Sequence, residues 1–525
     1  GLPMSPSRLA RARVYAGLAA LALSVVVLLH WLQGIEGRTA AQMGRNQARI
    51  LRVCAQVAGD VQLPAEDATA EAKRLLDTLA EHNHVAARRR LSCLLYHQWL
   101  HAFGGVYADS IKRHQYVAAV GPLVAAYFES YIQIAQHKAV LLFHHISKSG
   151  GTDNCDRAFL NGCKGWSIGP DPARPRRIPM PAEPIPLYMK HGPNCNGYFL
   201  DDSVKWGEAA KPHMKPHPEA ANYRNDCIQR AQHAQNAGVN VLGSENYLRL
   251  QNASHCPGVL LWETLRNPVD RVVSHWAYAG GTKMFGDCYR TKADGSAAFD
   301  LTYGTMPDIV GALDNYMVRS IAGVDAFYRP FGQVTQEDAQ AAMRNLGVVD
   351  VLVVLGVDEE DGTLASLDTM LRIGLGFNRR RENFQSNSNS WGKSQLNATA
   401  LDYFTRLSAW DIQVFEFAES LYRLDSMMYR IVAEYCQSPR TERKICAILR
   451  EAEDIVPGQP PERSHDDPFH KFGKESRVRE QAQTPFACGC GWVGSTETTS
   501  EINPFYAAIM DISDKQECPR KRYFA

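Results

Sequence analysis

The chain has 525 residues, of which 45% are hydrophobic and 22% are charged. This composition is ordinary for a globular protein and excludes a fully disordered, collagen-like or small disulfide-knot protein. The 57 lysines and arginines nearly match the 56 aspartates and glutamates, which gives a net charge of +1. Because dedicated nucleic-acid binders usually carry a basic excess, no nucleic-acid partner is expected. The length suits one large catalytic domain with extensions, or two to three smaller domains.

The first predicted element is an apolar segment, residues 14–32, which contains no Asp, Glu, Lys or Arg. As a helix it would be about 28 Å long, close to the hydrocarbon thickness of a bilayer. Three arginines among residues 1–13 precede it and favour a short cytoplasmic tail. We expect a single-pass, type II signal anchor. The alternatives are a cleaved signal peptide, with a cleavage site at Thr39-Ala40-Ala41, and a buried core helix.

Two sequons and thirteen cysteines agree with a location in the secretory lumen, where glycosylation and disulfide formation occur. The sequons are Asn252-Ala-Ser254 and Asn397-Ala-Thr399. Cys155 and Cys163 are close in sequence and form one candidate disulfide, whereas spacing does not determine the other pairings. The Cys488-x-Cys490 pair lacks further ligands at zinc-finger spacing, so a disulfide is favoured there over zinc.

Residues 33–137 are rich in Ala, Leu, Arg and Gln and have helical periodicity, which predicts a helical stem. From residue 138 to 455, short apolar runs alternate with helical patterns, which predicts a parallel sheet in an α/β domain. Within it, residues 166–222 hold eleven of the 27 prolines and are predicted to form a surface insertion. Residues 456–525 form a polar C-terminal extension to which the sequence assigns no role.

The predicted elements follow from these patterns. In the stem, Leu75, Leu76 and Leu79 are expected on one helix face, and Leu91, Leu94 and Leu95 on another. In the α/β domain, strands are predicted at 139–143, 259–265 and 348–355, and helices at 269–278, 364–373 and 409–422.

The first chemical motif is HHISKSGGT, residues 144–152, which runs from a predicted strand into a predicted helix. The two glycines allow a tight turn that brings backbone N–H groups towards an anion, and the helix N-terminus adds partial positive charge. Lys148 supplies a full charge and Thr152 a hydroxyl, so we predict a phosphate cradle. An ordinary glycine turn with a solvated lysine is the alternative. Because the lysine precedes the glycines, this is not the magnesium-binding nucleotide-triphosphatase loop. His144 and His145 are expected to be structural.

The second motif is RNPVDRVVSHW, residues 266–276, which again leaves a strand and enters a helix. Asn267 suits the cap position and Pro268 the first helical position. Arg266 and Ser274 are predicted to bind one phosphate, with arginine as a bidentate donor. The alternative is a capped helix with surface arginines.

Together the two motifs resemble the paired signatures of the Golgi carbohydrate sulfotransferases. In that family HIPKTGGT binds the 5′-phosphosulfate end of 3′-phosphoadenosine 5′-phosphosulfate (PAPS), and RxPVxRxxSxY binds its 3′-phosphate. Here Ser147 and Ser149 stand in place of Pro and Thr, and Trp276 takes the aromatic position. The resemblance covers about residues 138–435. The order of anchor, stem and motifs also matches, with Arg266 following Lys148 by 118 residues.

The resemblance implies a P-loop-like three-layer α/β fold with a central parallel sheet, preceded by a transmembrane helix and a helical stem, in the Golgi membrane. It implies transfer of a sulfuryl group from PAPS to a hydroxyl or amine of a glycan, without a metal. The residues that it assigns to donor binding are Lys148, Ser149, Gly150, Gly151, Thr152, Arg266 and Ser274, together with Arg319 in the segment DNYMVR. A surface arginine is the alternative for Arg319.

The resemblance also implies that Lys148 stabilises the leaving oxygen and that a His or Glu takes the acceptor proton. His191 and Glu245, which lie between the motifs, are the candidate bases, and His213 and His217 are further candidates. The polar run 379–389 is a candidate contact for an anionic sugar chain or the donor, with a solvated loop as the alternative.

Three other functions stay open from the sequence. The same fold could serve a non-catalytic, membrane-tethered glycan-binding protein, or an enzyme that sulfates a tyrosine or a small molecule. A nucleotide kinase is disfavoured by the position of the lysine. The oligomeric state and the acceptor are not indicated by any pattern in the chain.

Overall fold

The computed structural model describes residues 45–58, 84–103, 110–161, 163, 240–244, 247–248, 258–278, 289–291, 297–299, 311–357, 364–381, 398–438, 441–450, 454–456 and 490–493. The predicted anchor at 14–32, the leucine face at 75–79, the insertion at 166–222 and both sequon asparagines lie outside these residues.

The helices, numbered in chain order, are α1 (Arg45–Ala58), α2 (His84–Phe103), α3 (Ser110–Gln136), α4 (Gly151–Leu160), α5 (Pro268–Tyr278), α6 (Tyr316–Ala322), α7 (Val324–Phe327), α8 (Gln336–Leu346), α9 (Leu367–Leu375), α10 (Ala398–Leu407), α11 (Ala409–Tyr435) and α12 (Lys444–Arg450). The strands are β1 (Val140–His145), β2 (Val241–Ser244), β3 (Val259–Arg266), β4 (Tyr289–Thr291), β5 (Ala297–Phe299), β6 (Val351–Leu355), β7 (Arg379–Arg381) and β8 (Asp454–Val456).

The chain divides into two compact units. Unit 1 contains residues 1–134, 358–373 and 420–451, and unit 2 contains residues 135–357, 374–419 and 452–525. The boundary after residue 134 is close to the one predicted after residue 137. The predicted division differs in another respect, because unit 1 also takes two segments that were assigned to the α/β domain.

A buried ion-pair cluster explains why distant segments fold together in unit 1. Arg88 and Arg89 of α2 both contact the carboxylate of Asp425 on α11, with Arg88 Nε 3.3 Å from Oδ1. All three side chains are buried, and a buried charge without its partner is strongly destabilising. The helix that carries these arginines is therefore joined to a much later segment of unit 1, and the stem at residues 33–137 stays a prediction.

The apolar face predicted on α2 is confirmed, since Leu91, Leu94 and Leu95 are all buried. Unit 1 also contains two disulfides. Cys54 of α1 is bonded to Cys93 of α2, and Cys436 is bonded to Cys446 of α12.

One helix in the described part of the chain, Ile111–Gln136, is long and apolar enough to cross a membrane by length and composition alone. It is distinct from the predicted anchor at residues 14–32. Slightly more than half of its most apolar stretch, 56%, is buried within the protein, and Phe128, Tyr131 and Ile132 are fully buried. Core helices of soluble proteins pass the same test, so this helix is not assigned to a membrane. The anchor at 14–32 lies outside the described residues and stays a prediction.

Unit 2 contains a sheet of four parallel strands in the order β2-β1-β3-β6. The register pairs Leu141 with Val241 and Phe143 with Trp262. Every residue of β1 is buried, as is every residue of β3 except the last, which is why each strand begins with four apolar residues in the sequence. The predicted parallel α/β sheet is confirmed.

The strand order reverses the direction of winding between β1 and β3. From β1 the chain passes to β2 on one side and then to β3 on the other side of β1. In open α/β sheets, ligands bind outside the carboxyl ends of the strands at such a reversal of winding. A ligand site is therefore expected at the carboxyl ends of β1 and β3.

The C-terminal extension contributes to the core of unit 2. Cys163, which follows α4, is bonded to Cys490. The pairing of Cys155 with Cys163 is therefore wrong; Cys155 is disulfide-bonded to another cysteine. The preference for a disulfide over zinc at Cys490 is confirmed. Next to it, Trp492 is fully buried and its backbone N donates to the carbonyl of Leu375 at 2.8 Å.

Candidate anion-binding site

The first motif forms a tight loop between β1 and α4. The backbone N of Ser149 donates to the carbonyl of Ile146 at 3.0 Å, and that of Asn154 to the carbonyl of Gly150 at 3.1 Å. Gly150 has a φ of +80°, and Lys148 has a φ of +69°. A lysine in the left-handed region is uncommon and costs energy, so the surrounding contacts must hold this turn.

The second glycine of the motif, Gly151, is required for a different reason from Gly150. A Cβ on Gly151 would lie 1.9 Å from Nε2 of His145, so only glycine fits against that ring. His145 in turn stacks on Phe143 at 5.5 Å. His144 has a different partner: its Nδ1 contacts the buried carboxylate of Glu263 on β3. Both histidines have internal contacts, as structural residues do.

The second motif begins where β3 ends. Asn267 Oδ1 accepts hydrogen bonds from the backbone N of Val269 at 3.1 Å and of Asp270 at 3.2 Å. This is the predicted cap of α5, with Pro268 as the first helical residue. The capped helix fixes the direction in which the chain leaves Arg266, the last residue of β3.

The two motifs meet at the carboxyl ends of β1 and β3. Nη1 of Arg266 donates to the carbonyl of Lys148 at 3.4 Å, a contact between residues 118 apart in sequence. Both side chains are half-buried, so each is accessible to a ligand. Ser149 is 1% exposed, and its hydroxyl has no hydrogen-bond partner in the residues that the structure describes. A buried hydroxyl without a partner is costly and fits a site that a ligand oxygen completes.

Positive charge is concentrated around this loop. Burial lowers the pKa of His275 on α5 well below its usual value, and the charges of Arg271 and Lys148 lower this pKa further. Burial also lowers the pKa of Arg271, and Arg266 adds to the same shift. The charge of the buried Asp411 carboxylate acts on the pKa of Arg271 in the opposite direction. Cationic side chains from both motifs thus act on one small region, which favours an anionic ligand.

Two further side-chain contacts join the motifs, and neither was predicted. Ser147 Oγ lies 3.3 Å from Nδ1 of His275, and Nδ2 of Asn154 donates to Oγ1 of Thr264 at 3.0 Å. In the sequence, these contacts could have been suspected only from proximity to the motifs, since each of the four residues lies inside a motif or within two residues of one.

Arg319 is surrounded by protein oxygens. Its guanidinium is fully buried and contacts the carboxylate of Asp314. It also donates to the carbonyls of Asp314, Ala326, Phe327, Arg329 and Pro330. The alternative of a surface arginine is therefore wrong. Its contact with the donor stays a prediction, and the observed contacts explain the residue without one.

The other predicted site residues are only partly described. Thr152 lies in the first turn of α4, its side chain being outside the described residues, and Ser274 is half-buried on α5. The candidate bases His191, Glu245, His213 and His217 all lie outside the described residues. Of the polar run 379–389, residues 379–381 form β7, which pairs in parallel with β8, and the remainder is outside. Within the described ranges, no cluster of three or more His, Cys, Asp or Glu side chains is placed to hold a metal.

Comparisons of the chain with protein-family models, with curated proteins and with solved structures find no match. Its function is therefore inferred from the residues and geometry of the site.

Proposed function

We propose that this protein is a sulfotransferase that moves a sulfuryl group from PAPS to a hydroxyl or amine of a glycan. One observation carries the proposal. The Lys148 loop and Arg266 meet at the carboxyl ends of two adjacent parallel strands, where the winding of the sheet reverses. A P-loop-like three-layer arrangement around this sheet is part of the same proposal.

The residues at the site fit a nucleotide that carries anionic groups at two positions. The loop from Ile146 to Gly150 would hold the 5′-phosphosulfate end through backbone N–H groups and the unpartnered hydroxyl of Ser149. Arg266, with Ser274, would bind the 3′-phosphate through a planar guanidinium. Gly151 supports this fit, because a side chain at that position would collide with His145 and displace the loop.

Bound PAPS supplies an activated sulfuryl group, and the protein supplies charge and orientation. Lys148 would stabilise the negative charge that develops on the bridging oxygen as the sulfur–oxygen bond breaks. His191 or Glu245 would accept the proton of the acceptor as its oxygen or nitrogen bonds to sulfur. The proposal requires no metal in this step, since lysine and backbone dipoles provide the positive field.

A Golgi location, with the enzyme facing the lumen from an anchor at residues 14–32, completes the proposal. The disulfides support it, because such bonds form and persist in the oxidising secretory pathway. Lumenal exposure also gives access to glycan acceptors.

The donor site is tested by thermal unfolding of the full chain with 3′-phosphoadenosine 5′-phosphate, the desulfated donor. At about a hundred times the dissociation constant, a ligand adds roughly 2.7 kcal/mol of stability. We expect this shift in the wild type and its loss in Lys148→Ala and Arg266→Ala. Arg406→Ala is the matched control, since Arg406 is 69% exposed on α10. A folded wild type without a shift, or equal shifts in all variants, would contradict the proposal.

Transfer is tested with labelled PAPS and a panel of glycans, tyrosine peptides and small phenols. Label on a glycan supports the proposal, and label only on a peptide or phenol would replace the glycan by another acceptor. Glycan binding without any transfer would favour the tethered binding protein. ATP binding that depends on magnesium would favour the kinase.

A further inference from the structure

The loop that carries Lys148 is held from the second motif at two points. One is the contact of Arg266 with the Lys148 carbonyl, and the other joins the side chains of Ser147 and His275 at 3.3 Å. The first uses a residue already assigned to the donor. The second joins Ser147, a residue of the loop, to His275 of α5, and neither residue has an assigned role.

The loop needs such a restraint. Lys148 occupies the left-handed region with a φ of +69°, which a side chain other than glycine rarely adopts. Its neighbours in the chain are Ser147 and Ser149, neither of which limits φ as proline does. The conformation is therefore set by contacts around the loop, and Ser147 is the residue directly before the strained position.

His275 is well placed to supply this restraint. It is fully buried on α5, a helix fixed at its start by the Asn267 cap and anchored by Arg271, whose Nη2 donates to the carbonyl of Ala312 at 2.6 Å. A buried ring on an anchored helix has little freedom to move. Burial and the charges of Arg271 and Lys148 lower the pKa of His275, so its ring is neutral at neutral pH.

A neutral imidazole and a hydroxyl form a hydrogen bond in either tautomer. Nδ1 donates to Ser147 Oγ when it carries the proton and accepts from the hydroxyl when it does not. The contact does not depend on one protonation pattern within the neutral ring. It also lies entirely inside the protein, since Ser147 and His275 are both buried.

We propose that His275 is a positioning residue for the donor: through Ser147 it holds the loop in the conformation that presents Lys148 to the phosphosulfate group. His275 acts through Ser147 and touches no substrate. The ligand in this inference rests on the proposed function, whereas the restraint on the loop does not.

The test is a double-mutant cycle on the full chain, with the dissociation constant for 3′-phosphoadenosine 5′-phosphate measured by calorimetry. Ser147→Ala and His275→Leu are each expected to weaken binding about five-fold, the usual value of one hydrogen bond. The double variant should be no weaker than either single variant, because both remove the same contact. His275→Asn, whose side-chain amide can take the place of Nδ1, should bind nearly as the wild type does.

A second measurement separates this inference from the proposed function. Hydrogen exchange of the amides of residues 148–151 in the free protein should be faster in Ser147→Ala and His275→Leu than in the wild type and His275→Asn. If the wild type binds no nucleotide but the exchange pattern holds, the proposed function fails and the restraint stands. Unchanged exchange in folded variants, or additive losses of nucleotide affinity in the cycle, would overturn the inference.

Discussion

A single guanidinium connects several turns of chain at Arg319. Its Nε donates to the carbonyl of Asp314 at 2.7 Å, and its other nitrogens reach carbonyls between residues 326 and 330 as well as the Asp314 carboxylate. An arginine has five N–H donors and no acceptor, so a ring of oxygens of this kind suits it. The arrangement joins α6 to the segment that follows α7.

Arg319→Met is expected to lower the free energy of unfolding by about 3–5 kcal/mol, because it leaves the buried Asp314 carboxylate without its partner. Urea unfolding measures this. Arg329→Met is the control, since that side chain is 36% exposed and its ion pair with Asp338 should contribute less than about 1 kcal/mol. Wild-type stability in Arg319→Met, combined with lost nucleotide binding, would instead support the predicted role in donor binding.

At this scale the sequence predicts the residues whose role depends on local order. The tight turn at Gly150 and the Asn267 cap follow from motifs in which each residue is read beside its neighbours. The burial of Arg319 and the contact of Ser147 with His275 do not follow, because they join residues that only the fold brings together. Gly151 is an intermediate case: the glycine was expected, but its cause is the ring of His145.

Helices α6 and α11 cap each other. Oδ1 and Oδ2 of Asp411, in the first turn of α11, accept from the backbone N of Val318 and Met317 at the start of α6. Asn315, which precedes α6, accepts from the backbone N of Trp410 and Asp411 at the start of α11. Each helix thus satisfies its first N–H groups with a side chain from the other, which fixes the two N-termini side by side.

The burial of Asp411 between these helices should make stability depend on pH. Burial raises the pKa of Asp411 to about 6, against the opposing effects of Arg271 and the two backbone N–H groups. Because the folded pKa lies above the unfolded value of 3.8, this group stabilises most below pH 4, and the contribution is lost as pH rises through 6. The loss should be about 3 kcal/mol.

Urea unfolding between pH 4 and pH 7.5 measures the slope. Asp411→Asn keeps a side-chain oxygen for one N–H and does not titrate. Over this pH range its free energy of unfolding should therefore fall by about 2 kcal/mol less than that of the wild type. Asp402→Asn, at a side chain that is 65% exposed, is the control and should keep the wild-type slope. An unchanged slope in Asp411→Asn would mean that another group titrates.

Elements with continuous patterns were predicted well, and elements without them were not. The three predicted strands match β1, β3 and β6 to within three residues at each end. Strand β2, Val241–Ser244, was missed because four residues ending in Gly and Ser show no period. Helix α11 extends to Tyr435, beyond the predicted residue 422. The exchanged caps lie more than ninety residues apart, where no local pattern reports them.

The final described segment, residues 490–493, is fully buried in unit 2. A Cβ on Gly376 would lie 2.6 Å from the ring of Trp492, and one on Gly491 would lie 1.9 Å from the carbonyl of Leu375. Gly491 also donates from its backbone N to the carbonyl of Asn161 at 3.2 Å. Two glycines thus allow the tail to approach the end of α9 and the end of α4.

Trp492→Ala is expected to lower the free energy of unfolding by about 3–5 kcal/mol, the usual cost of removing a large buried aromatic side chain. Phe331→Ala is the control, because Phe331 is 39% exposed and should change stability by no more than about 1 kcal/mol. Equal effects in the two variants, measured by urea unfolding, would show that the tail is not part of the core.

At the scale of the whole chain, the sequence predicted the class of the sheet but not the grouping of segments. Residues 84–134 have the composition of a stem, yet Arg88 and Arg89 find their carboxylate at Asp425. A polar tail with scattered prolines and glycines gave no sign that Trp492 is buried. Both results depend on contacts across more than one hundred residues, for which composition and periodicity carry no information.

The bond between Cys163 and Cys490 spans 327 residues, and this separation has a consequence for biosynthesis. At roughly 5–20 residues per second, the ribosome makes Cys490 about 16–65 s after Cys163. During that interval the thiol that will fasten the end of α4 is available to every cysteine already translated, Cys155 included. The Cys163–Cys490 bond therefore cannot form until translation is nearly finished, and any earlier pairing of Cys163 has to be undone by thiol–disulfide exchange before it forms.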